Sequence, residues 1–93
     1  MLHRRLFAEM NSPDVVSAKA EALRQNALLP DEVVLVTPGE AADLIGISAV
    51  TLAQWRSADE GPPYSKIGRD VRYDLAKFLA FIEQRRAWLE RMA

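Results

Sequence analysis

Cysteine is absent from this chain of 93 residues. That excludes disulfides and thiolate-bound metals, and it fits a reducing compartment. Long hydrophobic runs are missing too: no apolar stretch approaches the ~20 residues that cross a bilayer. The opening MLHRRLFAEM has two arginines but no apolar core behind them, so it does not read as a secretory signal. A cytoplasmic protein with no membrane association is expected. An excess of one charge is also lacking. Twelve Lys and Arg against thirteen Asp and Glu leave a net charge of −1, whereas nucleic-acid binders are usually basic. Finally, the sequence shows no nucleophile with a base partner, no glycine loop to cradle phosphate and no cluster of metal ligands. His3 is the single histidine, in an arm expected to be mobile, and the acids fall in caps and loops. The expectation is a non-enzyme without metal or cofactor.

What is present is ordinary globular material, 49% hydrophobic and 27% charged. The length suits one small domain, or a domain of about 50–60 residues with added arms. A chain of this size buries roughly 60–65% of its unfolded surface, so modest stability is expected.

Residues 1–11 carry weak signals and are expected to be flexible. Ser12-Pro13-Asp14 then reads as a helix start: an N-cap, a proline at the first helical position and an acid in the first turn. Val16, Ala20, Leu23 and Ala27 recur at helical spacing, which predicts a helix over 13–28 that stops before Pro30. Its narrow, alanine-rich face suits docking on the domain or on another chain. Residues 1–34 are therefore read as an N-terminal helical arm, and 35–90 as the domain proper.

Val33 to Val36 favour a short extended segment. Thr37 and Glu40 form a capping box around Pro38, and the following helix runs through Ala41, Ala42, Leu44 and Ile45 to a left-handed C-cap at Gly46. Ser48 caps the next helix, ISAVTLAQW, in which Leu52 and Trp55 point inward and Thr51 and Gln54 outward. Two helices joined by so short a glycine-containing turn describe a helix-turn-helix. After the loop ending in Gly61-Pro62-Pro63, YSKIGRDVRY reads as a hairpin turning at Gly68-Arg69-Asp70. Asp74 caps a final helix on which Leu75, Phe78, Leu79, Ile82, Arg86 and Leu89 follow a helical period. The predicted class is mainly α with a small β-hairpin: a winged helix-turn-helix with an N-terminal helical arm.

Residues 35–86, about 52 of the 93, resemble the winged helix domains of MerR-like excisionases and small AlpA-type phage regulators. The matching signs are the cap Thr37, Glu40, Ala41, Ala42; the turn Leu44, Gly46, Ser48; Thr51, Leu52 and Trp55 on the second helix; Gly61 to Tyr64 before the wing; and Lys66, Ile67, Gly68, Arg69, Val71, Arg72 and Tyr73 across it. The resemblance implies a DNA-binding accessory factor that cuts nothing itself. Such a recombination directionality factor binds and bends attachment-site DNA and steers an integrase, of the tyrosine class, toward excision; related members regulate transcription. It implies that the second helix enters the major groove while the wing touches backbone or minor groove. The chain departs from the family pattern at Ala49, where arginine is common, and at Ala53, where a large polar residue is common. Sequence preference is then either weak or rests on Thr51, Gln54 and DNA shape.

The candidate contacts on the recognition helix are Ser48, Ala49, Thr51, Leu52, Gln54 and Arg56, and those on the wing are Lys66, Gly68, Arg69 and Arg72. Gln54 can pair with the edge of adenine, and Thr51 can meet a thymine methyl or a polar edge. Ser48 caps the helix and can also touch phosphate. Arg56 can reach phosphate or pair with Asp59 or Glu60. Strand alternation puts Arg72 opposite Val71 and Tyr73, and Arg69 at a tip that could enter a minor groove. Arg4 and Arg5 could help to hold DNA. Each position also has a plainer reading, as a solvated helix face, an exposed charged turn or an idle tail.

Seven basic and seven acidic residues lie between Thr37 and Arg86. That balance leaves room for a protein-interaction module docking through the 13–28 helix or the C-terminal helix. It also suggests weak DNA binding by single copies and cooperative loading of several, through residues 1–34 or 87–93, where Trp88, Leu89 and Met92 are apolar.

Overall fold

The computed structural model of the chain describes residues 10–25 and 33–92, with residues 89, 90 and 92 described through their backbone alone. Within those residues the order is α1 (Pro13–Gln25), β1 (Leu35–Val36), α2 (Pro38–Ile45), α3 (Ala49–Ser57), β2 (Ser65–Ile67), β3 (Asp70–Asp74) and α4 (Leu75–Met92).

Local chemistry explains each boundary. Ser12 Oγ accepts from the Val15 amide at 3.4 Å ahead of Pro13 and Asp14. The capping box of α2 is reciprocal: the Thr37 amide donates to Glu40 Oε1 at 2.9 Å, and the Glu40 amide donates to Thr37 Oγ1 at 3.1 Å. That helix ends at Gly46, whose φ of +81° favours a residue without Cβ. The Lys77 amide donates to Asp74 Oδ1 at 3.2 Å and starts α4.

The predicted hairpin is part of a larger sheet. β3 lies between β1 and β2, antiparallel to both. The segment 33–36, read only as extended, contributes a strand at Leu35–Val36, with Val36 opposite Tyr73. Both residues are buried, and the pairing occupies the β3 edge that β2 leaves open.

The core fills the space between α2, α3, β3 and α4. Leu44, Ile45, Leu52, Tyr73, Leu75, Phe78 and Ile82 are fully buried, and Tyr73 meets Phe78 edge-on with ring centroids 5.3 Å apart. α1 packs on this core rather than standing off it. Val16 and Ala20 are buried in it, and Lys19 Nζ reaches Asp43 Oδ2 at 3.0 Å.

Met10 and Asn11 were expected in a flexible stretch, but they are packed. Met10 is buried in the core. The Asn11 amide donates to the Ile45 carbonyl at 2.9 Å, and its Nδ2 donates to the Leu44 carbonyl at 3.1 Å. These bonds satisfy carbonyls that the end of α2 leaves without helical partners. Arg86 Nη2 on α4 donates to the Asn11 carbonyl at 2.9 Å. The continuation of α1 to residue 28, its stop before Pro30, His3, Arg4 and Arg5 lie outside the described residues.

Among the described residues, four helices with a three-stranded antiparallel sheet in this order make a winged helix-turn-helix. Among the described residues no helix is long and apolar enough to cross a membrane.

Candidate nucleic-acid interface

Helix α3 begins with a double use of Ser48. Its Oγ accepts from the Thr51 amide at 3.0 Å and lies 2.9 Å from Thr51 Oγ1. Ser48 is therefore a cap, and the Thr51 hydroxyl is engaged with it on a half-buried side chain. Leu52 and Trp55 anchor the helix, at 0% and 6% exposure. Leu52, expected both to point inward and to be among the DNA-contacting positions, does only the first. Its side chain is wholly inside the core, where it fixes the helix's orientation and cannot reach a base edge. Ala49 and Gln54 are exposed.

Val50 was not singled out from the sequence, yet it is 67% exposed. Helical phase carried the signal. At about 100° per residue, the position opposite the Leu52–Trp55 direction is Val50 rather than Thr51.

The loop after α3 returns the chain tightly to its own helix. The Glu60 amide donates to the Trp55 carbonyl at 2.8 Å. Gly61, at φ +86°, leaves room for the indole: a Cβ there would stand 3.1 Å from Trp55 Cβ and Cε3. Pro62 is buried beyond it.

The wing then projects. Ser65, Lys66 and Ile67 pair with Arg72, Val71 and Asp70, and Gly68-Arg69 make the turn. Gly68 has φ +67° while Arg69 does not have positive φ, as a two-residue turn with glycine first requires. Every residue from Pro63 to Asp70 is exposed. Because directly paired residues share a face of a sheet, Lys66 lies with Val71 and Tyr73 while Arg72 lies with Ser65 on the other face. The expected opposition of Arg72 to Val71 and Tyr73 follows from this register.

The cations of the wing differ in how firmly they are held. Arg72 is half-buried, with Nη1 donating to the Val71 carbonyl at 2.8 Å and Nη2 standing 3.9 Å from Asp70 Oδ2. Lys66 and Arg69 make no ion pair among the described residues, and both are exposed.

Arg56 joins the two elements. Its Nη1 donates to Tyr73 Oη at 2.9 Å, and its guanidinium lies 5.9 Å from the centroids of both the Tyr64 and Tyr73 rings. Burial pushes the Tyr73 phenol above its ordinary pKa, and the Arg56 hydrogen bond pulls it partly back. The phenol therefore stays protonated at neutral pH and accepts from Arg56. The last turn of α3 is thus fixed to the root of the wing through a side chain expected at phosphate.

The structure brings Ser48, Ala49, Gln54 and Arg56 onto one short helix. It sets Lys66, Gly68 and Arg69 on a hairpin whose root that helix touches. A helix presented by a second-helix cap, with a basic hairpin beside its last turn, can enter a groove while the hairpin meets the flanking strand. No curated protein and no solved structure matches the chain significantly. Residues 35–86, more than half of the chain, match the family model described as Helix-turn-helix domain, and the chain belongs to that DNA-binding family.

Proposed function

We propose that the protein is an excisionase-like recombination directionality factor. In this reading it binds and bends duplex DNA at an attachment site and so steers a tyrosine integrase toward excision. One observation carries it: the exposed basic hairpin is rooted, through Arg56 and Tyr73, on the last turn of the helix that the second cap presents. Two contacts held at a fixed separation suit a protein that deforms DNA between groove and flank. The motif resemblance over residues 35–86 supports the excision role. A small transcription regulator would use the same surface.

Near-balanced charge makes a single copy a weak binder. Several copies on adjacent sites reinforce one another through effective concentration. Band-shift titration of duplex DNA at low salt, on fragments that carry the site at different distances from their ends, tests the reading. The expected result is retardation at micromolar protein, a Hill slope above one and a mobility that varies with site position, the mark of a bend. A Hill slope near one removes multi-copy loading. Position-independent mobility removes bending and leaves the transcription reading. No retardation removes DNA binding altogether and favours a protein-interaction module, the reading to which the charge balance also points.

A further inference from the structure

The outward row of α3 carries no charge. Leu52 and Trp55 set its inward direction, and about 100° per residue places Val50, Gln54 and Ser57 on the far side. All three are exposed, with half-buried Ala53 beside them. At 67% exposure Val50 is the most exposed large apolar side chain among the described residues. It stands on the one helix whose cap, anchors and neighbouring wing all serve presentation. A β-branched side chain is held in essentially one rotamer on a helix. Valine also adds nothing to helix propensity there. A stiff apolar group at the crest of a presented helix fits a small apolar feature in the surface it meets.

The major groove offers one such feature, the C5-methyl of thymine, the single methyl group set among its hydrogen-bond donors and acceptors. We infer that Val50 reads the C5-methyl group of a thymine, and that Gln54, one turn further along, takes the adenine of a neighbouring base pair. Gln54 lies four residues from Val50, so the two side chains are neighbours on the helix surface. Its amide presents the donor and acceptor that match adenine N7 and N6. Together they select a step rich in A·T pairs without any arginine on the helix crest. This assignment rests on the DNA-binding reading above and names the chemistry of the same surface.

The test uses the full chain and a library of random-sequence duplexes. Retained duplexes are sequenced, and the common site is resynthesised with each thymine in turn replaced by deoxyuridine, which lacks only the methyl. One thymine is expected whose replacement weakens binding about fourfold, the contribution of one buried methyl. Val50→Ala is expected to bind the thymine and uracil duplexes equally, at the affinity of the unaltered protein for uracil. Val50 is exposed and alanine favours helix, so this variant keeps its fold. A retained site insensitive to every such replacement overturns the assignment and leaves DNA binding intact. So does a Val50→Ala protein that still prefers thymine. A library from which nothing is retained overturns the DNA-binding reading itself.

Discussion

Gly46 stands at φ +81°, and a Cβ built there would come within 2.8 Å of Asn11 Oδ1. Gly68 stands at φ +67°, but a Cβ there would meet nothing within 4 Å. The contrast separates conformational strain from crowding. Gly68→Ala is expected to lower stability by about 1 kcal/mol, the cost of left-handed backbone in a residue with Cβ. Gly46→Ala adds the collision with Asn11 and the displacement of its hydrogen bonds, and is expected to cost about 2–3 kcal/mol. Urea unfolding of the two variants checks the order, and equal losses would mean that Asn11 yields freely. The sequence announced Gly46 as a cap, because position after a periodic helix suffices for that. It was silent on Gly61, whose need for smallness comes from the Trp55 ring 3.1 Å away and so depends on tertiary packing. Leu52, read as inward yet also placed among the DNA contacts, and Val50, passed over, differ for a related reason. Apolar character alone does not distinguish a core residue from a crest residue; helical phase does.

The wing is the element on which charge matters most. Lys66 and Arg69 are exposed cations, whereas Arg72 already faces Asp70 at 3.9 Å. In DNA titrations over a salt series, Lys66→Ala and Arg69→Ala are each expected to reduce the log–log slope by about 0.9. Arg72→Ala should reduce it by less, because part of its charge is offset within the hairpin. Unchanged affinity and slope in the first two variants would take the wing out of the interface. The hairpin and its alternation were legible, since glycine between β-prone runs has few other uses, but the turn is one residue shorter than Gly68-Arg69-Asp70, because Asp70 pairs with Ile67 in the ladder. The third strand was not. Two residues of β1 gain their partner from a segment far along the chain, and local pattern holds no record of that. Nor did helical position foretell that Arg56 turns onto Tyr64 and Tyr73 at the wing's root.

At the level of the whole molecule, residues 10–25 prove to be structural. Met10, Val16 and Ala20 complete the core, and Asn11 holds the end of α2 while Arg86 of α4 holds Asn11. Asn11→Ala removes the Nδ2 donor to the Leu44 carbonyl and is expected to cost about 1–2 kcal/mol, read as a lower urea midpoint with unchanged slope. An unchanged midpoint would mean that water replaces the amide without loss. The helix-turn-helix and its wing were recognisable from caps and periodicity, but this brace was not. It consists of hydrogen bonds between residues 33 to 75 positions apart, formed by side chains of no special composition. The hold of Asn11 on α2 also sets a limit on transplantation. A graft of residues 35–86 onto another scaffold would keep every side chain proposed to meet DNA, but it would leave α2 frayed and the hydrophobic interior open on one flank. Such a graft would need a substitute clasp from its new host before its reading helix could stand at a fixed angle.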